Sequence, residues 1–125
     1  MTKRVMLAED EPNIIESLSF LLERSGFEIS VHTSGSEALG AALANPPDLL
    51  VLDVMLPEMD GFEILRRLRA DERGNSLPVI MLTAKGQRED REAAREAGAD
   101  VFITKPFSNA DVINAVKSLT GGQTV

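Results

Sequence analysis

Leu49-Leu50-Val51-Leu52-Asp53 is the stretch on which the fold turns. Four apolar residues in an unbroken row cannot divide themselves between core and water, so both faces of the segment need cover. That is the condition of an interior strand in a parallel sheet with helices on either side. Working outward, residues 4–8 and 78–82 read the same way, as nearly continuous apolar runs, and residues 101–104 form a shorter fifth run. Residues 27–31 differ: Phe27, Ile29 and Val31 alternate with Glu28, Ser30 and His32, the pattern of an edge strand. His32 falls on the polar side of that alternation and is read as a solvent-exposed residue with no role.

Helix-period segments fill the intervals. Over residues 12–24, Ile14, Leu18, Leu21 and Leu22 recur at helical spacing, Pro12 suits a first turn and Gly26 marks the stop. Val112, Ala115, Val116 and Leu119 repeat in the same way before Gly121 and Gly122. Residues 87–97 offer only Ala93, Ala94 and Ala97 as apolar anchors among seven charged neighbours, so this helix buries little surface. Strands alternating with helices predict an α/β fold with a five-stranded parallel sheet, (βα)5, doubly wound with helices on both faces. The expected organisation is one domain over residues 1–120 and a flexible tail over 121–125.

Composition narrows the function. A chain of 125 residues with 43% hydrophobic content can bury a single core. Its apolar runs are far shorter than the ~20 residues of a membrane span, and no signal-peptide pattern opens the sequence. The expectation is therefore a cytoplasmic protein without a membrane partner. Zero cysteines exclude disulfides, thiolate metal sites and cysteine nucleophiles. A formal charge of −7 argues against direct nucleic-acid binding, and Arg66, Arg67 and Arg69, interleaved with Leu65 and Leu68, are read as a solvated helix face.

In an open parallel sheet, chemistry gathers beyond the carboxyl ends of the strands. Those ends read Glu9-Asp10-Glu11, Asp53, Thr83-Ala84 and Lys105-Pro106. Polar residues often end strands without doing anything, but Asp53 closes an apolar stretch, where an ionised group needs a compensating cation. Glu9 and Asp10 beside it add negative charge, so the cluster calls for a metal. An all-oxygen ligand set with no His or Cys suits Mg²⁺ or Mn²⁺ over zinc, with Mg²⁺ the occupant expected in a cell. Three carboxylates, a divalent ion and the Lys105 ammonium leave a nearly neutral site that tolerates a phosphoryl group. Thr83 can donate to a phosphoryl oxygen, Ala84 leaves an entry path, and Asp53 is the in-line nucleophile.

The motifs Ala8-Glu9-Asp10-Glu11, Leu52-Asp53-Val54-Met55-Leu56-Pro57, Met59-Asp60-Gly61, Leu82-Thr83-Ala84 and Ile103-Thr104-Lys105-Pro106-Phe107 together resemble the receiver domains of bacterial two-component response regulators, from Arg4 to Leu119. The resemblance implies a flavodoxin-like strand order 2-1-3-4-5. It makes Asp53 the phosphoacceptor, Asp10 a direct Mg²⁺ ligand, Glu9 a ligand through water and Met55 a ligand through its backbone carbonyl. Lys105 would contact the phosphoryl group, Lys105-Pro106 would be a cis peptide, and Thr83 with Phe102 would form the switch pair. The output surface would be the face built from the 87–97 helix, the fifth strand and the last helix. The implied partners are a sensor histidine kinase or histidine phosphotransfer protein, and a downstream protein target or effector domain.

Residues 54–57, with Lys85 two places after Thr83, look most like receivers of winged-helix transcription factors, which implies a phosphorylation-dependent homodimer. Val101 and Ala115 depart from that subfamily's interface pattern, whereas Arg91, Asp100, Asp111 and Lys117 keep matching charge. A flavodoxin-like cofactor binder is opposed by the acidic first loop. A phosphohydrolase working through an aspartyl-phosphate would carry a second Asp where Met55 stands, so at most slow self-hydrolysis is expected and the chain is read as no enzyme. A degenerate receiver serving only as an interaction module is opposed by the intact Glu9, Asp10, Asp53, Thr83 and Lys105 set.

Overall fold

A computed structural model describes residues 2–84 and 88–121. Strands β1 (Arg4–Ala8), β2 (Glu28–His32), β3 (Leu49–Asp53), β4 (Val79–Thr83) and β5 (Val101–Thr104) alternate with helices α1 (Pro12–Arg24), α2 (Gly35–Ala44), α3 (Gly61–Arg69), α4 (Arg88–Ala97) and α5 (Asn109–Leu119). All strand pairs are parallel, in the order β2-β1-β3-β4-β5, as the resemblance implies. β2 is an edge strand, and β3 and β4 are buried along their whole length. Among the described residues, no helix is long and apolar enough to cross a membrane.

Strand alternation sorts the core into two halves. Met6, Leu50, Leu52, Val79 and Met81 face α2, α3 and α4, meeting Leu39, Ile64, Leu68 and Ala94. Val5, Leu7, Leu49, Val51, Ile80 and Leu82 face α1 and α5, meeting Leu18, Leu22, Val112 and Val116. α4 buries Ala94 alone, as its sparse apolar content predicts. Short-range capping sets the helix starts: Ser34 and Asp60 accept from the backbone of Glu37 and Glu63, and Ser108 and Asp111 form a reciprocal capping box.

Several boundaries and exposures differ from the sequence reading. β2 begins at Glu28, because the Phe27 N–H is already committed to Leu22 O, closing α1 over Gly26 at φ 97°. β4 runs Val79–Thr83, one residue later than expected, since Pro78 has no N–H for the ladder. Thr83 is thus a strand residue. His32 is only partly solvated: its side chain is 21% exposed and its Nδ1 lies 2.8 Å from Glu37 Oε1, five residues on in the first turn of α2. Arg66 and Arg67 are exposed as read, both pairing with Glu63, but Arg69 turns inward and is 20% exposed. Lys85, Gln87 and residues 122–125 of the expected tail lie outside the described residues.

Candidate functional site

The same alternation that fills the core aims the site. Val5 and Leu7 are succeeded on their face by Glu9, Leu49 and Val51 by Asp53, and Val101 and Ile103 by Lys105. Three strand ends therefore deliver two acids and an amine to the α1/α5 side of one sheet edge. Glu9 is 0% exposed and Asp53 3% exposed, whereas Asp10 is exposed at the rim. Carboxylate oxygens from Glu9, Asp10 and Asp53 all lie within 4.8 Å of one another.

Lys105 Nζ stands 3.4 Å from Asp53 Oδ1, 3.3 Å from Glu9 Oε1 and 3.8 Å from Glu11 Oε2. Glu9 Oε2 accepts from the backbone N–H groups of Asp10 and Glu11, at 3.0 and 3.4 Å. Its other oxygen, Oε1, is buried and among the described residues accepts no hydrogen bond, although the Lys105 ammonium is within ion-pair range. Burial and then the neighbouring Asp53 carboxylate push the Glu9 carboxyl up to about 7, with Lys105 pulling the other way. For Lys105, burial works against the charged form, but Glu9 and Asp53 outweigh it and the ammonium is held above its ordinary range. One ammonium does not satisfy three clustered carboxylates.

A divalent ion fits what is missing. The donor set is all oxygen, one buried oxygen lacks a hydrogen bond, and the exposed Asp10 leaves an open side for water or ligand. Met55 is an exposed residue whose N–H donates to Asp53 Oδ1 at 3.3 Å. Gly61 explains why the Met59-Asp60-Gly61 motif follows: its N–H donates to Val54 O at 2.8 Å, and a Cβ there would come within 2.7 Å of Asp53 O. Only glycine lets α3 begin this close to the strand end carrying Asp53.

Thr83 and Phe102, the expected switch pair, belong to the opposite face. Thr83, 4% exposed, is in register with Thr104, and Phe102 is in register with Met81, whose core half it packs against. Phe102 is therefore half-buried although it lies on an edge strand. Thr83 shares the sheet edge with Asp53 while its strand parity points toward the α4 side. Lys105-Pro106 is a cis peptide. Asp100, read from sequence only as part of an interface charge pattern, has an internal role that this reading missed: its carboxylate accepts both the Val79 N–H at 2.8 Å and Arg69 Nη2 at 3.3 Å. The i to i+31 separation of that pair leaves no local signal.

This geometry has close counterparts. The chain is 42% identical over 119 residues to the alkaline phosphatase synthesis transcriptional regulatory protein PhoP of Bacillus subtilis, covering 95% of this chain and 49% of that protein. It is 44% identical over 124 residues to the probable transcriptional regulatory protein TcrX of Mycobacterium tuberculosis, covering 97% and 52%. The chain thus spans about half the length of these curated relatives. A putative response regulator from Chloroflexus aurantiacus superposes with a TM-score of 0.90 at 33% identity, over 97% of this chain and 99% of the other. The receiver domain of sensor histidine kinase PA1611 from Pseudomonas aeruginosa superposes at 0.88 and 29% identity, over 98% and 100%, and was solved with a magnesium ion coordinated in its active-site cleft. The response regulator receiver domain model matches residues 5–117, and with the relatives above this establishes that the chain belongs to the response regulator receiver domain family.

Proposed function

We propose that Asp53 accepts a phosphoryl group and that the chain signals by the consequent change at its α4-β5-α5 face. The observation that carries this reading is the buried Glu9 and Asp53 pair, held with Asp10 around an oxygen-only pocket and closed on one side by Lys105. Asp53 is the nucleophile: a carboxylate oxygen forms the new bond to phosphorus as the bond from phosphorus to the donor breaks, and the donor atom keeps that electron pair. With a histidine donor, that atom is an imidazole nitrogen.

Asp10, Glu9, Asp53 and the Met55 carbonyl would hold Mg²⁺, with Mn²⁺ as a substitute. The ion would supply charge neutralisation for the phosphoryl oxygens. Lys105 already bridges Glu9 and Asp53 and would shift its ammonium onto the transferred group. The Met55 N–H, now donating to Asp53 Oδ1, orients the carboxylate for attack. Thr83 would donate its hydroxyl to a phosphoryl oxygen, and Phe102, already half-buried beside Met81, would follow it inward.

A groove of about 440 Å³ opens beside Lys105 between α1 and the start of α5, lined by Ile14, Ser17, Phe107 and Asn109 among others. Its lining of apolar Ile14 and Phe107 with polar Ser17 and Asn109 suits a histidine kinase or phosphotransfer protein delivering the group. No acid occupies the Met55 position to activate water, so the chain would act as a phosphoacceptor with slow self-hydrolysis, not as a phosphatase. Homodimerisation through the α4-β5-α5 face loses one contributor to its charge pattern, because Asp100 is already engaged by Arg69 and Val79 within the same chain. The relatives' length leaves a downstream effector, joined or separate, as the receiver of the signal.

The test is labelling by acetyl phosphate with Mg²⁺, comparing the protein with Asp53→Asn. Label is expected on the unsubstituted protein alone. Equal labelling of both, or of neither, would overturn the proposal.

A further inference from the structure

Arg69, the last residue of α3, does not stay on the solvated face where the arginine run puts it. Its Nε and Nη2 donate to Gly98 O at 3.1 and 2.7 Å, and its Nη1 donates to Gly74 O at 2.8 Å and Leu77 O at 2.7 Å. Nη2 also lies 3.3 Å from Asp100 Oδ2, which accepts the Val79 N–H that opens β4. One guanidinium thus ties the end of α3, the turn before β4, the end of α4 and the entry to β5. A lysine ammonium is a single point and cannot meet these acceptors at once, whereas the planar fork can.

The fit at Gly98 is close. Gly98 sits at φ 102°, and a Cβ there would approach Arg69 Nε at 2.8 Å and Cγ at 3.0 Å. It closes α4 in a glycine-dependent turn, with the Gly98 and Ala99 N–H groups both donating to Ala94 O at 3.1 and 2.9 Å. The guanidinium also meets the carbonyl end of α4, where positive charge is favoured. Packing of α4 is also uneven: its buried Ala94 and partly buried Ala97 lie in its second half, whereas in its first half Arg88, Glu89, Arg91 and Glu92 are exposed and Asp90 is partly buried. The loosely packed half is the one that follows Thr83 in the chain.

We propose that Arg69 is a positioning residue that pins the carboxyl-terminal end of α4 and makes it a pivot, so that a change at Thr83 moves the helix by its amino-terminal end. The pivot rests on the receiver reading above for the origin of the movement, but the pin itself does not.

Two measurements on Arg69→Lys separate these. In the metal-free protein, amide hydrogen exchange at Gly98, Ala99 and Asp100 is expected to speed up by about tenfold or more, because charge-assisted hydrogen bonds are lost, while Leu50 to Leu52 change by less than about twofold. Equal acceleration at both places, or none at either, would overturn the pin. With Mg²⁺ and beryllofluoride, amide shifts in the unsubstituted protein are expected to be large over residues 88–92 and to fade by 97–100. In Arg69→Lys that gradient flattens.

A gradient unchanged by the substitution, or absent from the unsubstituted protein, would overturn the pivot. If no amide near Asp53, Asp10 or Lys105 responds to beryllofluoride, the phosphoacceptor reading fails and exchange alone decides the pin. Asp100→Asn keeps an oxygen for the Val79 N–H and removes the charge facing Arg69. It should give an intermediate effect in both measurements, and it carries the test if Arg69→Lys does not fold.

Discussion

Replacing Glu9 by Gln should stabilise the metal-free protein above neutral pH, which is the opposite of what removing a buried polar contact ordinarily does. Glu9 has a folded-state value raised from 4.5 to about 7, first by burial and then by Asp53. A group raised in this way contributes stability that is fully present below its unfolded value and is lost as pH rises through the folded one. The window is therefore about pH 4.5 to 7 and a little beyond. At about 1.36 kcal/mol per pH unit the shift corresponds to roughly 3 kcal/mol of stability lost across it, an upper figure because Glu9 interacts strongly with the charges beside it. Gln keeps an oxygen for the Asp10 and Glu11 N–H groups and carries no charge to lose.

Urea unfolding in a chelator at pH 5 and pH 8.5 measures this directly. The two proteins should be within about 1 kcal/mol of each other at the lower pH, with the variant ahead by ~2–3 kcal/mol at the higher. Subtracting one protein from the other cancels titrations common to both. Saturating Mg²⁺ should reverse the order at pH 8.5, because the ion stabilises the complete ligand set by mass action. A pH-independent difference, or a variant that is the less stable at pH 8.5 in chelator, would refute the reasoning.

Lys105→Met should bind Mg²⁺ about tenfold more tightly in a calorimetric titration, since a cation within 3.3 to 3.4 Å of Glu9 and Asp53 is removed; unchanged affinity would place the ion elsewhere. Gly61→Ala should cost about 1–3 kcal/mol in chemical unfolding, because the added Cβ meets the Asp53 carbonyl and Val54 Cα and the backbone must shift. The same variant should phosphorylate more slowly, because the shift falls on the strand end that aims the nucleophile.

The sequence was most legible where a single period governed the structure. Apolar runs gave β1, β3 and β5 their bounds, and the termini of these strands named Glu9, Asp53 and Lys105, because alternation along a strand carries the facing of core residues through to the next polar one. Legibility failed by one residue where a local hydrogen bond had a prior claim, as at Phe27, whose N–H closes α1, and at Pro78, which has none to give. It failed completely for Arg69. Three arginines in four positions look alike in a helix, and what distinguishes one is the carbonyl of Gly98, 29 residues away. His32 shows the same limit at short range, because its partner Glu37 comes within reach only after α2 has formed.

The central claim, that Asp53 and no neighbouring carboxylate takes the phosphoryl group, is tested most directly by reductive trapping. After reaction with acetyl phosphate and Mg²⁺, borohydride reduces an acyl phosphate to the corresponding alcohol, and peptide sequencing by mass spectrometry locates the reduced side chain. The reduced residue should be found at position 53 alone. Reduction at Glu9 or Asp10, or at no site despite retained phosphate, would contradict the account.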